Sequence, residues 1–212
     1  MSRRFSFALA LFLASLHISG SCFAAVVHDE TVDGELSNDN LAPTSLAFTI
    51  GENTVIGTIE DAFGLANTDV FTFVVPERAV WTSLVVDDYQ STDNLAFLAI
   101  DDTDTFPYDA NQLNLVDFGQ LPDDAFIGGT TFGQADAVGG FNILPRAGIV
   151  TGSGFTAPLP SGTYTIYLQQ IGAETNYSLT TTIVATIPEP SSVILLGAVA
   201  SIGCLRRPRR RR

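Results

Sequence analysis

Asp69-Val70-Phe71-Thr72-Phe73-Val74-Val75 runs directly into Pro76. The run alternates with a period of two. Val70, Thr72 and Val74 fall on one face, and Phe71, Phe73 and Val75 on the other. β-Branched and aromatic residues fill it, and Pro76, with no backbone N–H to donate, stops it. Similar short runs lie on both sides. Residues 45–50 and 53–60 are separated by Gly51-Glu52. Residues 80–86 and 95–100 flank a polar loop at 87–94. Residues 162–170, with Tyr164, Ile166 and Leu168 on one face, pair with 177–184 across a turn containing Gly172 and Asn176. No long segment repeats with the helical period of 3.6. Many short strands with regular turn signals predict an all-β fold, a single β-sandwich or jelly-roll-like domain. The stretch 101–160 is rich in Asp, Gly, Asn and Pro and less regular. It predicts an irregular insertion holding two or three short strands.

The two ends read as addresses. Arg3 and Arg4 precede an apolar run at 5–16, then Ser19-Gly20-Ser21-Cys22-Phe23-Ala24-Ala25. A basic start, an apolar stretch and a small-residue exit predict a secretory signal peptide at 1–24, cut between Ala24 and Ala25. The run is short of the about 20 apolar residues of a spanning helix. Arg3-Arg4 also fits a twin-arginine signal. Ser19-Gly20-Ser21-Cys22 fits a lipidation site without its usual Leu. At the other end, Pro188-Glu189-Pro190 and Ser191-Ser192 precede an apolar run at 193–205 and six arginines within 206–212. As a helix that run reaches roughly 20 Å, against a hydrocarbon core of about 30 Å. Arginines stay on the cytoplasmic side. The expectation is a short hydrophobic helix that holds the chain in the membrane until it is processed, leaving 25–187 as the ectodomain.

Pro-Glu-Pro, a short apolar helix and a closing arginine cluster resemble the PEP-CTERM sorting signal of exported proteins in Gram-negative bacteria that make extracellular polysaccharide. The resemblance covers 188–212. It implies cutting near Pro188, Glu189 and Pro190 by an exosortase, a membrane-embedded transpeptidase, after passage through the secretion machinery. The protein is then expected at the cell surface or outside the cell, following a transient inner-membrane stage. A second resemblance rests on Asp33-Gly34-Glu35-Leu36-Ser37-Asn38-Asp39, Gly51-x-Asn53-Thr54-Val55-x-Gly57-Thr58, Asn67-Thr68-Asp69-Val70-Phe71-Thr72-Phe73, Ser161-Gly162-Thr163-Tyr164-Thr165-Ile166 and Asn176-Tyr177-Ser178-Leu179. This order is similar to the pre-peptidase C-terminal (PPC-like) β-sandwich domains of secreted bacterial proteins. Such domains are accessory modules, some associated with calcium or polymer binding. The insertion at 101–160 departs from their compact form.

Charge and chemistry narrow the function. The chain has ten arginines and no lysine; only Arg78 and Arg146 lie within 25–187, against 22 of the 23 acids, so that stretch stands at −20. A field of that sign repels nucleic acid and attracts cations. The stretch contains no Cys and one His, His28 near the expected new terminus. Nucleophile–imidazole catalysis and zinc sites need such groups held by packing. Carboxylate chemistry remains. Asp87, Asp88, Asp93, Asp101, Asp102, Asp104, Asp123 and Asp124 are the acids that a glycoside hydrolase would draw on. Asp101, Asp102 and Asp104, just past the apolar run at 95–100, are candidate ligands for Ca²⁺, which takes six to eight oxygens. Trp81, Tyr89 and Tyr108 are candidate sugar platforms, Trp81 being the one placed in a core strand and Tyr108 the better exposed. The reading is a non-catalytic surface or matrix protein with no committed cofactor. Its alternatives are a carbohydrate- or calcium-binding module of the exopolysaccharide matrix and, behind that, a carboxylate-dependent glycoside hydrolase.

Overall fold

The computed structural model describes residues 24–59, 61–62, 65–109, 125–170 and 172–186. Residues 1–23 of the expected signal peptide, the Pro188-Glu189-Pro190 tail and Asp123-Asp124 lie outside the described residues. The elements in chain order are β1 (Ala25–Asp29), α1 (Glu30–Asp33), β2 (Thr44–Leu46), β3 (Gly51–Ile59), β4 (Asp61–Ala62), β5 (Leu65–Val75), β6 (Ala79–Ser91), β7 (Leu95–Asp101), β8 (Gly128–Gly133), α2 (Gln134–Gly139), α3 (Leu144–Val150), β9 (Gly162–Gln170) and β10 (Thr175–Ala185). They form two mixed sheets. One runs β1-β3-β10-β6; the other runs β2-β5-β9-β7-β8, with β4 added to β5. β1 lies parallel to β3 and β2 parallel to β5. The other strand pairs are antiparallel.

The two sheets bury one core between them. Phe71, Phe73 and Val75 of β5 and Tyr164, Ile166 and Leu168 of β9 meet Trp81, Leu84 and Val86 of β6 and Tyr177, Leu179 and Ile183 of β10. Aromatic pairs cross the gap: Trp81 stands edge-on to Phe73 at 5.1 Å and to Tyr164 at 5.6 Å, and Tyr89 edge-on to Phe132 at 5.7 Å. Offset and edge-on ring pairs add roughly 0.5–1.5 kcal/mol each beyond their buried area.

β6 reaches five residues past the strand read at 80–86 and absorbs part of the expected polar loop. Its pairing with β10 slips at Thr82 and again at Asp87, where β6 carries one extra residue. The buried positions are Ala79, Trp81, Leu84, Val86 and Tyr89, spaced two, three, two, three. Each bulge inserts one residue, so the alternation breaks while the strand continues.

Among its described residues the insertion holds two helices that no sequence pattern predicted. Between 128 and 150 it forms one strand and two short helices, β8, α2 and α3. Helices of six and seven residues turn too few times to show a 3.6 period. Arg146 of α3 fastens them. Its guanidinium donates to both oxygens of Asp136 at 2.8 and 2.9 Å, to Thr130 Oγ1 at 2.9 Å and to the Thr131 carbonyl at 2.6 Å. Asn142 between the helices caps the open edge of β6, accepting from Leu84 N and donating to the Thr82 carbonyl. That edge is thereby shielded from pairing with another chain.

The outer face of the larger sheet is covered too. Val70, Phe97, Ala99 and Tyr167 are buried there under Phe106 and Phe126. Phe106 stacks on Tyr167 with ring centroids 4.6 Å apart. Among the described residues no helix is long and apolar enough to cross a membrane.

Candidate functional site

The site begins where β1 ends. Asp29 caps α1: its Oδ1 accepts from Thr31 N at 3.0 Å and from Thr31 Oγ1 at 2.7 Å. Asp33 Oδ2 accepts from Asp29 N at 2.9 Å and closes the turn. Gly34 then takes φ +92°, in the range open to glycine, and the chain doubles back. This reversal turns Glu30 inward. Its Oε1 accepts from Leu36 N at 2.9 Å and its Oε2 from Thr58 N of β3 at 2.6 Å.

The returning chain bridges to β5, where Val70 N donates to the Ser37 carbonyl at 2.8 Å. That contact brings Glu35 beside Asp69. One carboxylate oxygen each of Glu30, Glu35 and Asp69 lies within 4.8 Å of the others. Glu35 is exposed, Glu30 half-buried and Asp69 fully buried. From the opposite sheet the Tyr177 hydroxyl donates to Asp69 Oδ2 at 2.7 Å. Burial first, then the negative field of Asp69, Glu30 and Glu35, pushes the Tyr177 hydroxyl well above the usual tyrosine range. It stays protonated and acts as a donor. Gly57, opposite Tyr177 on β3, makes room for the ring: a Cβ there would sit 2.5 Å from the tyrosine oxygen.

Three carboxylates this close repel one another, and burial of one strengthens the repulsion. Protonation relieves it, and so does a cation. The donor set is all oxygen, which suits a hard ion such as Ca²⁺ and not zinc.

The sequence candidates for calcium sit elsewhere. Asp101 is buried, and its Oδ2 accepts from Thr103 Oγ1 at 2.7 Å. Desolvation raises its carboxyl above the usual range. Asp102 and Asp104 are exposed, and the three do not converge as Glu30, Glu35 and Asp69 do. Asp87, Asp88 and Asp93 are exposed. His28 is not at a frayed end: it lies in β1, buried, with Nε2 making no hydrogen bond. Trp81 is wholly buried in the core, its Nε1 donating to the Ser83 carbonyl, and Tyr89 is buried as well. Tyr108, expected to be exposed, is half-buried and edge-on to Phe106 and Phe126. Ala24 is exposed and Ala25 opens β1.

No protein-family model and no curated protein matches this sequence.

The acids that do converge were missed by reading for runs of acids. A signal was present: Asp69 puts a charge at the mouth of an apolar alternating strand, and Gly34 marks a reversal just before Glu35.

Proposed function

We propose that this protein is an exported, non-catalytic component of the cell surface or extracellular matrix, whose β-sandwich takes calcium at Glu30, Glu35 and Asp69. The observation that carries this reading is the convergence of those three carboxylates, one of them fully buried. An ion there would tie the N-terminal segment to both sheets: Glu30 belongs to α1, Asp69 to β5, and Asp69 holds Tyr177 of β10. Extracellular calcium modules operate at dissociation constants of about 10⁻⁴–10⁻³ M, which fits a site completed only after export. Cleavage between Ala24 and Ala25 would leave Ala25 at the head of β1. The jelly-roll-like sandwich would then stay tethered by its short C-terminal helix until an exosortase cuts near Pro188, Glu189 and Pro190.

The export half is tested by intact-mass analysis of host membrane and medium fractions. A species starting at Ala25 and ending near Pro188 supports it; a full-length arginine tail held in the inner membrane contradicts it. The calcium half is tested by melting purified protein with Ca²⁺ and with a chelator. Calcium at a hundred times its dissociation constant adds about 2.7 kcal/mol. Coincident melts would remove the calcium reading.

A further inference from the structure

The four-stranded sheet has an outer face that the core does not use. A cleft of about 210 Å³ lies on it, lined by Asp29, Thr31, Ile56, Thr58, Asp88 and Asn176 among others. We propose that this cleft binds a single amino-sugar unit, with the ammonium group paired to carboxylate and the ring resting on Ile56.

The lining defines the ligand by its chemistry. Asp29 stands on the α1 side, fixed by Thr31. Asp88 comes from β6, its Oδ1 held by Tyr89 N at 3.0 Å and its Oδ2 by Gln90 Nε2 at 2.7 Å. Asp29 Oδ1 already accepts twice, but Asp29 Oδ2 and both Asp88 oxygens keep lone pairs, so both groups can still accept. Thr58 Oγ1 donates to Asn176 Oδ1 at 2.9 Å, which leaves the Asn176 amide nitrogen to donate. Half-buried Ile56 offers an apolar surface between these polar groups. The cleft therefore pairs acceptors for a cation with hydrogen-bonding groups for hydroxyls and an apolar patch for C–H groups.

Size and charge exclude the neighbouring ligand classes. Asp29, Glu30 and Asp88 do not converge as a three-carboxylate ion site, so a bare metal ion would not bridge them. Drug-sized pockets run to about 300–1,000 Å³; this one suits a single ring. The negative field of the domain disfavours an acidic sugar. Glu30 and Tyr177 line the cleft and also belong to the carboxylate cluster, so the test acts on Asp88, which belongs to the cleft alone, and its failure is distinct from a failure of the calcium reading.

The test titrates the full chain with a glucosamine tetramer, the N-acetylated tetramer and trilysine, at a pH that keeps the amines charged. The glucosamine tetramer should bind, free glucosamine should compete with it, and both other probes should bind at least about tenfold more weakly. Asp88→Asn, which keeps its backbone partner, should weaken binding about two- to fivefold, in the range of an exposed charge pair. Asp87→Asn, next to it but outside the cleft, should bind as the parent does. Equal binding of the acetylated tetramer or of trilysine would overturn the proposal. So would an Asp88→Asn variant, melting like its parent, that binds no more weakly than Asp87→Asn.

Discussion

The acidic loop at 101–104 and the cluster of Glu30, Glu35 and Asp69 each present three carboxylates, and the fold treats them in opposite ways. In the loop the acids are neighbours in sequence, yet Asp102 and Asp104 point to water while Asp101 turns in toward Thr103. In the cluster the acids come from α1, from the chain just after it and from β5, and their oxygens converge. Adjacent residues in a tight loop splay apart, whereas a parallel edge strand, a helical turn and a glycine reversal aim separate side chains at one point. Proximity along the chain is therefore a poor guide to which carboxylates converge.

The contrast breaks most visibly at Gly57. Gly57→Ala pushes a methyl group into Tyr177 and lifts its hydroxyl off Asp69. Overpacking of this kind costs about 1–3 kcal/mol, and chemical denaturation should show a loss of that size. Gly162→Ala, at an exposed position where an added Cβ meets only ordinary contacts at 3.7 Å or more, should show no such loss. Next in size is the response to calcium. Asp69→Asn should abolish the calcium-dependent rise in melting temperature, while Asp102→Asn and Asp104→Asn leave it intact. For a domain of this size, about 2.7 kcal/mol corresponds to roughly 5–10 °C.

Alkaline titration sharpens the comparison from the tyrosine side. The folded Tyr177 hydroxyl titrates above its unfolded value of about 10. Its stabilisation is fully present below that value and fades as pH rises through the folded one. Tyr177→Phe should lose stability at pH 7 and show a flatter decline above pH 10 than the parent, in urea melts across that range. Smallest is the effect in the loop. Burial raises the folded Asp101 carboxyl, so its contribution is present at pH below the unfolded value of about 3.9 and lost as pH rises. Asp101→Asn, which retains an acceptor for Thr103, should be slightly more stable than the parent at pH 7. The gap should close near pH 3.

The same contrast explains what could be read from residues alone. β9 coincides with the run read at 162–170, and β5 contains the run at 69–75, because their alternation is unbroken and both inner faces are aromatic and aliphatic. β6 was read short because Asp87 is a bulge: two consecutive exposed acids look like a loop until Tyr89 returns to the core. α2 and α3 left no periodic trace, and Asn142 and Arg146 hold them through contacts that no local pattern encodes. The second core was invisible for the same reason: it depends on Phe106 and Phe126, 20 positions apart in the chain, meeting beside Tyr167. Glu30 and Asp69 are 39 positions apart in the numbering of the chain, and their meeting follows from sheet order.

The most direct measurement is a calorimetric titration of the purified protein with Ca²⁺, run beside Asp69→Asn. The account predicts a single binding event in the parent that disappears in the variant. No binding heat in the parent, or an unchanged isotherm in Asp69→Asn, would contradict it.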